Sequence, residues 1–195
     1  MRSKKVNRCS WSLVDDIDIK YHDKEWGVPV KNDKKQFEFL ILEGMQAGLS
    51  WRTILNKREN FRKAFDQFDF IKMATYKKRK VNSLMKDAGI IRNKQKIEAA
   101  INNAKAFINV RKEFGTFSKY IWNFINDKPV VNKNKSLADI PPRTELSDII
   151  SADLKKRGFK FVGSTIVYAH MQACGMVNDH VTSCFRYKEI LSLYK

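Results

Sequence analysis

Along most of the chain apolar residues recur every three to four positions, and the stretches that show this period are bounded by residues that start or stop helices. Phe37, Leu40, Ile41, Gly44 and Met45 make one such stripe, with Asn32 or Asp33 placed to cap it. Residues 51–60 and 61–68 read as two short helices with apolar faces at Ile54, Leu55, Phe61, Phe65 and Phe68. Val81, Leu84 and Met85 mark another, stopped by Gly89 as a C-terminal glycine would do. Asn93 can cap the longest candidate, where Ile97, Ala100, Ile101, Ala104, Phe107 and Ile108 predict a buried central helix. Phe117, Tyr120, Ile121 and Phe124 continue until Asp127-Lys128-Pro129 breaks the pattern. Residues 127–143 hold three of the four prolines and predict an extended, loop-like connection. Thr144 opens a helix through Leu146, Ile149, Ile150 and Leu154 that Gly158 closes, and an apolar helix from about Ser164 to Cys174 ends at Gly175. Residues 1–31 show no stripe and read as loops and short turns around Trp11, Tyr21 and Trp26. No useful strand alternation and no internal repeat appear, so the pattern predicts an all-α fold.

Residues 42–51 depart most from what a helix needs. Gly44 and Gly48 cost roughly 1 kcal/mol each relative to alanine in a helix, which points to close backbone approach. Glu43 falls off the apolar stripe near the helix end, where a carboxylate either faces a cleft or sits solvated on the surface.

Composition narrows the partner. A chain of 195 residues suits one unit, residues 1–195, with a sizeable core. Lys plus Arg number 38 against 21 Asp plus Glu, a formal charge of +17, which fits a polyanion binder or a general bias toward lysine. No run approaches the roughly 18 apolar residues of a membrane span, and Met-Arg-Ser-Lys-Lys lacks the apolar core of a signal peptide, so a cytoplasmic protein without membrane association is expected. Three cysteines argue against a disulfide framework and leave metal binding or burial.

Two constellations carry chemistry. A helix, a short turn with Val162-Gly163, and a helix beginning Ser164-Thr165 form a hairpin that aims backbone N–H groups outward at a helix start, flanked by Lys155, Lys156, Arg157 and Lys160. It reads as a backbone-phosphate site or as an ordinary packing joint. Cys9, His22, His180 and Cys184 offer a Cys2His2 set for structural zinc, the last two in His-x3-Cys spacing; His170 and Cys174 share that spacing within an apolar helix, where burial is the alternative.

These residues sit in longer ordered motifs: Cys9-Ser10-Trp11, Tyr21 to Pro29, Leu42 to Trp51, Asp87 to Arg92, Lys155 to Gly163, and Met171 to Gly175 through Asn178-Asp179-His180-Val181. Together they resemble the bacterial 3-methyladenine DNA glycosylase I family, in unbroken order from about Cys9 to Cys184. The resemblance implies a helix-hairpin-helix glycosylase fold, with the hairpin element at about 146–175 and double-stranded DNA carrying an alkylated adenine held across a cleft. It implies one nucleotide flipped into a pocket. Structural Zn2+ would tie the chain's two ends through Cys9, His22, His180 and Cys184.

By the same resemblance Glu43, Tyr21 and Trp51, with Trp11 nearby, fall on base-pocket positions, and Leu49 beside Gly48 falls where an apolar plug enters the vacated stack. Lys160, Val162, Gly163 and Ser164 fall on the DNA-binding hairpin. Glu43 is expected to be ionised and to recognise a cationic base between aromatic rings. Asp18 stands where relatives can carry a tyrosine, and His170 where a more apolar residue is expected. Thr165 lies where lyase relatives place a lysine, so base release without strand cleavage is expected, from a monomer. Asp179, beside a zinc ligand, reads as a supporting group rather than a catalytic acid. The rival readings are a non-catalytic DNA-binding module and a glycosylase or lyase for another lesion.

Overall fold

Ten α-helices carry the architecture of residues 6–194, which the computed structural model describes. α1 (Asp16–Lys24) starts at Asp15, whose carboxylate accepts the Ile17 N–H, so the segment expected to be loops holds a helix. Its buried positions include Asp18 and His22, so the stripe it turns inward is partly polar and shows no apolar period. α2 (Asp33–Gln46) begins at Asn32, whose side chain accepts the Lys35 N–H. α3 (Trp51–Ala64) is continuous where two short helices were expected; the break falls later, at Asp66, Gln67 and Phe68, all with positive φ.

α4 (Phe70–Ala74) follows a cap by Asp69 and has too few residues to show a period. α5 (Lys78–Lys86) stops before Gly89, whose N–H binds the Asp87 carboxylate instead of closing the helix. α6 (Lys94–Phe114) starts at Asn93 and runs through the centre, packed on α2, α4 and α5 and on α7 (Phe117–Asn123). The connection at 127–143 includes a two-residue strand, β1 (Val130–Val131), before α8 (Glu145–Lys156) and α9 (Ser164–Ala173). β1 pairs in parallel with β2 (Val177–Asn178), a small exception to the all-α expectation, and α10 (Phe185–Ser192) ends the fold.

α2 is buried from Gln36 to Met45, so it has no solvent side near its end, and Glu43 stays inside although it lies off the main stripe. Three polar contacts fix its surroundings. Asp33 accepts N–H bonds from Phe117 and Ser118 and one from Arg111 Nε, so the first residue of α2 caps α7. Lys96 Nζ donates to the carbonyls of Met45 and Ala47 at the other end of α2. Asn103 holds the Lys160 backbone from both sides, at 2.8 and 2.9 Å, so α6 locates both the end of α2 and the turn before α9. Gly175 has φ +67°, and a Cβ there would stand 2.5 Å from Pro29 N, so only glycine lets the chain leave α9 past residues 28–29.

The apolar core divides in two. The larger part surrounds α6, with Phe107 stacked on Phe117 at 4.3 Å; the smaller part gathers Tyr21, Trp26, Phe39, Leu55, Cys174 and Val181 at the chain's two ends.

Candidate active site and metal centre

A cavity of about 350 Å3 opens over the smaller core, lined by Trp11, Tyr21, Trp26, Glu43, Gln46 and Trp51. Ala169 and Gln172 of α9 complete it, with Leu137 and Ile140 from the 127–143 connection, and it lies at the small end of the roughly 300–1,000 Å3 typical of ligand pockets. α1 and α3 cross beside α2, which sets the Tyr21 and Trp51 rings 5.5 Å apart with their planes inclined by 51°. Trp11 stands edge-on to Trp26 at 5.1 Å. Glu43 is 3% exposed, and burial alone raises its pKa to about 8. Burial thus favours the neutral carboxyl in the free pocket, where no cation among the described residues offsets its desolvation, whereas the ionised form was expected opposite a cationic base. Burial, and then the neighbouring Glu43, also push the Tyr21 hydroxyl well above its ordinary value.

The structure brings Trp11, Tyr21, Glu43 and Trp51 together as expected. It adds Trp26, Gln46, Leu137, Ile140, Ala169 and Gln172, of which sequence reasoning singled out only Trp26, and that as a loop aromatic. Within the protein itself neither glycine makes an unusually close approach. A Cβ on Gly44 would meet Phe161 at 3.5 Å, an ordinary contact, and Gly48 has nothing within 4 Å but adopts φ +79° to turn the chain from α2 into α3. Asp18 does not line the cavity; it is buried and receives Arg52 Nε at 2.8 Å.

Leu49 is 41% exposed at the tip of that turn. A second recess of about 210 Å3 runs past Leu49, Gly48, Thr165 and Ile166 and shares Glu43, Gln46 and Ala169 with the cavity, so the cavity continues to the start of α9. There Gly163 precedes the first turn and no side chain caps it. Val162 is 1% exposed and its carbonyl accepts Ser151 Oγ, so its side chain packs, while Gly163 and Ser164 are half-buried. Lys155, Lys156 and Lys160 are exposed, whereas Arg157 is engaged by Asp153 and Glu113 over the Phe114 and Tyr120 rings.

Cys9, His22, His180 and Cys184 are all buried, with ligand atoms within 4.8 Å of one another. His180 Nδ1 lies 3.7 Å from both sulfurs, and His22 Nε2 lies 3.4 Å from Cys184 Sγ. Tetrahedral Zn2+ bound to two sulfurs and two nitrogens sets ligand atoms roughly 3.3–3.8 Å apart, so the donor set fits such an ion. Each free ring nitrogen is already oriented: His22 Nδ1 by Asp23 at 2.8 Å, His180 Nε2 by the Trp26 carbonyl at 3.1 Å. The Cys9 hydrogen bond draws the Cys184 thiol below its ordinary pKa while the same contact and burial raise Cys9, so the pair favours one thiolate. His170 instead binds Gln36 Oε1, burial lowers its pKa to about 4, and with Cys174 it forms a core contact without further ligands among the described residues.

Fold and pocket together define a helical protein with a cavity lined by aromatic side chains and a buried carboxyl. The family model for methyladenine glycosylases matches residues 11–187, and the chain belongs to that family. It is 50% identical over 182 residues to DNA-3-methyladenine glycosylase 1 of Escherichia coli (strain K12), covering 93% of this chain and 97% of that protein. A crystal structure of 3-methyladenine DNA glycosylase I superposes with TM-score 0.90 at 49% identity, covering 92% of this chain and 98% of the other. The Staphylococcus aureus 3-methyladenine DNA glycosylase I, solved for the basis of 3-methyladenine recognition, superposes with TM-score 0.89 at 33% identity, covering 93% and 97%.

Proposed function

We propose that this protein hydrolyses the N-glycosidic bond of 3-methyladenine in alkylated double-stranded DNA, releasing the base and leaving an abasic site without strand cleavage. The observation that carries the reading is the buried Glu43 carboxyl beside the Tyr21 and Trp51 rings in a chain of this family. Methylation at N3 makes the attached base cationic, so the bond is already weak: water adds at the sugar carbon, the base leaves with the bonding pair as a neutral molecule, and the water's proton passes to solvent. The harder task is to distinguish this base from adenine. Entry of a cationic ring supplies the charge that the free pocket lacks, so Glu43 gives up its proton and pairs with it, while the rings add stacking and cation–π attraction. Neutral adenine gains less from each. Stacking is worth roughly 1–3 kcal/mol per base, enough for selection and too little for catalysis alone.

The chain acts as one unit in this reading. Leu49 fills the gap left by the flipped base, and the helix-hairpin-helix element at 146–175 holds the DNA backbone through Gly163, Ser164 and Lys160. Zn2+ held by Cys9, His22, His180 and Cys184 would supply folding energy rather than chemistry. Among the described residues no lysine lines the cavity, and the Lys96 amine is spent on two carbonyls of the α2 end, which supports hydrolysis over a Schiff-base lyase. No described helix is long and apolar enough to cross a membrane, and the reading places a monomer on DNA in the bacterial cytoplasm.

The test is incubation with DNA treated with a methylating agent, followed by analysis of released bases and strand integrity. Release of 3-methyladenine with intact abasic strands is expected. Strand cleavage would indicate a lyase, and no release a binding module.

A further inference from the structure

Behind the cavity wall lies a buried carboxylate that the reaction above does not use. Asp179 is 1% exposed. Its Oδ1 accepts from Asn132 Nδ2 at 2.6 Å and Asn134 Nδ2 at 3.0 Å, and its Oδ2 from Tyr168 OH at 2.7 Å and Gln172 Nε2 at 2.8 Å. A carboxylate offers about four acceptor positions, so Asp179 is saturated. Among the four donors only Gln172 also lines the cavity. A carboxylate accepts and does not donate, so the Gln172 amide must turn its NH2 toward Asp179. Oε1 is then the free end of a pocket-lining side chain, and no hydrogen bond reaches it among the described residues.

We propose that Gln172 determines specificity by accepting the exocyclic amino group of the flipped purine at Oε1, with Asp179 as the positioning residue that locks the amide. The proposal rests on the glycosylase reading and refines it. Within DNA, 3-methyladenine has a single N–H donor, the 6-amino group, so a fixed acceptor in the pocket has one possible partner on the base. Guanine carries the acceptor O6 at the same position. 3-Methylguanine has the same methyl group and the same positive charge, so stacking and the Glu43 charge discriminate poorly between the two. A free amide would rotate and offer NH2 to O6; the bond to Asp179 removes that option and sets acceptor against acceptor.

The experiment compares wild type with Gln172→Met and Gln172→Leu, quantifying 3-methyladenine and 3-methylguanine released from the same methylated DNA in single turnover. Both variants should release 3-methyladenine roughly tenfold more slowly or worse, the loss of one charge-assisted hydrogen bond, with 3-methylguanine unchanged or faster. Equal losses for both bases, or an unchanged ratio, overturn the proposal and leave selectivity to Glu43. Wild type reports separately on the parent reading: if it releases no 3-methyladenine, that reading fails, whereas active wild type with an unchanged ratio in the variants defeats this inference alone. Should both variants fail to fold, binding of free 3-methyladenine and 3-methylhypoxanthine to wild type decides; tighter binding of the amine supports the proposal and equal binding overturns it.

Discussion

At the scale of single residues, Glu43 is where burial and function meet. Its folded pKa of about 8 lies above its ordinary 4.5, so between these values the folded state holds a proton the unfolded state has released. Stability from this group is therefore full below pH 4.5 and falls as pH rises toward 8. Glu43→Gln removes the penalty: the variant should match wild type in melting temperature near pH 4 and exceed it at pH 9, by an amount on the order of a few kcal/mol. The same substitution should weaken binding of free 3-methyladenine far more than binding of undamaged DNA, as calorimetry on both ligands would reveal; matched losses would contradict the recognition role. If ionised Glu43 pairs with the base, wild-type kcat/KM should climb with pH through about 8 and the variant's profile should be flat in that range. Trp11, Tyr21, Glu43 and Trp51 were legible through the family motifs. Gln172 was not, although it lies in one of them, because its orientation comes from a contact with Asp179, seven residues on and beyond the turn at Gly175, that no helical or strand period encodes.

Elements were legible where a polar cap preceded an apolar stripe, as at Asn32, Asn93 and Thr144. They were misread where burial was polar or the break conformational: α1 turns Asp18 and His22 inward, and α3 runs on to a left-handed turn at Asp66–Phe68 that no proline or glycine announces. The hairpin was visible in sequence, but not that α6 grips it. Asn103→Ala would leave the Lys160 N–H and carbonyl without their partner, so stability should drop by about 1–3 kcal/mol in urea unfolding. Binding to undamaged DNA should weaken with it while free 3-methyladenine still binds, because Asn103 does not line the cavity.

For the whole molecule, a charge of +17 predicts affinity for DNA that falls steeply between low and physiological salt, measurable by fluorescence anisotropy. If the Cys2His2 group holds zinc as proposed, it should govern global stability: His180→Ala should abolish zinc in elemental analysis and lower the melting temperature by well over 5 °C, given roughly 2–4 °C per kcal/mol for a chain of this size. The Cys2His2 set was a pair of separated fragments in sequence; only folding shows that each histidine's second nitrogen is already held.

That centre stands against the back of the cavity wall. His180 packs on Trp26 at 4.6 Å, Trp11 lies edge-on to His22 at 5.5 Å, and Tyr21 directly precedes His22 in the chain. The wall formed by Trp11, Tyr21 and Trp26 is thus fastened to residues far along the chain, His180 standing 154 positions after Trp26. A nascent chain that has displayed Trp11, Tyr21, Glu43 and Trp51 still lacks the later residues against which the first two are packed, so recognition residues exist before the pocket that orders them. Fragments that stop before His180 would carry the recognition residues without the contacts that set the aromatic wall.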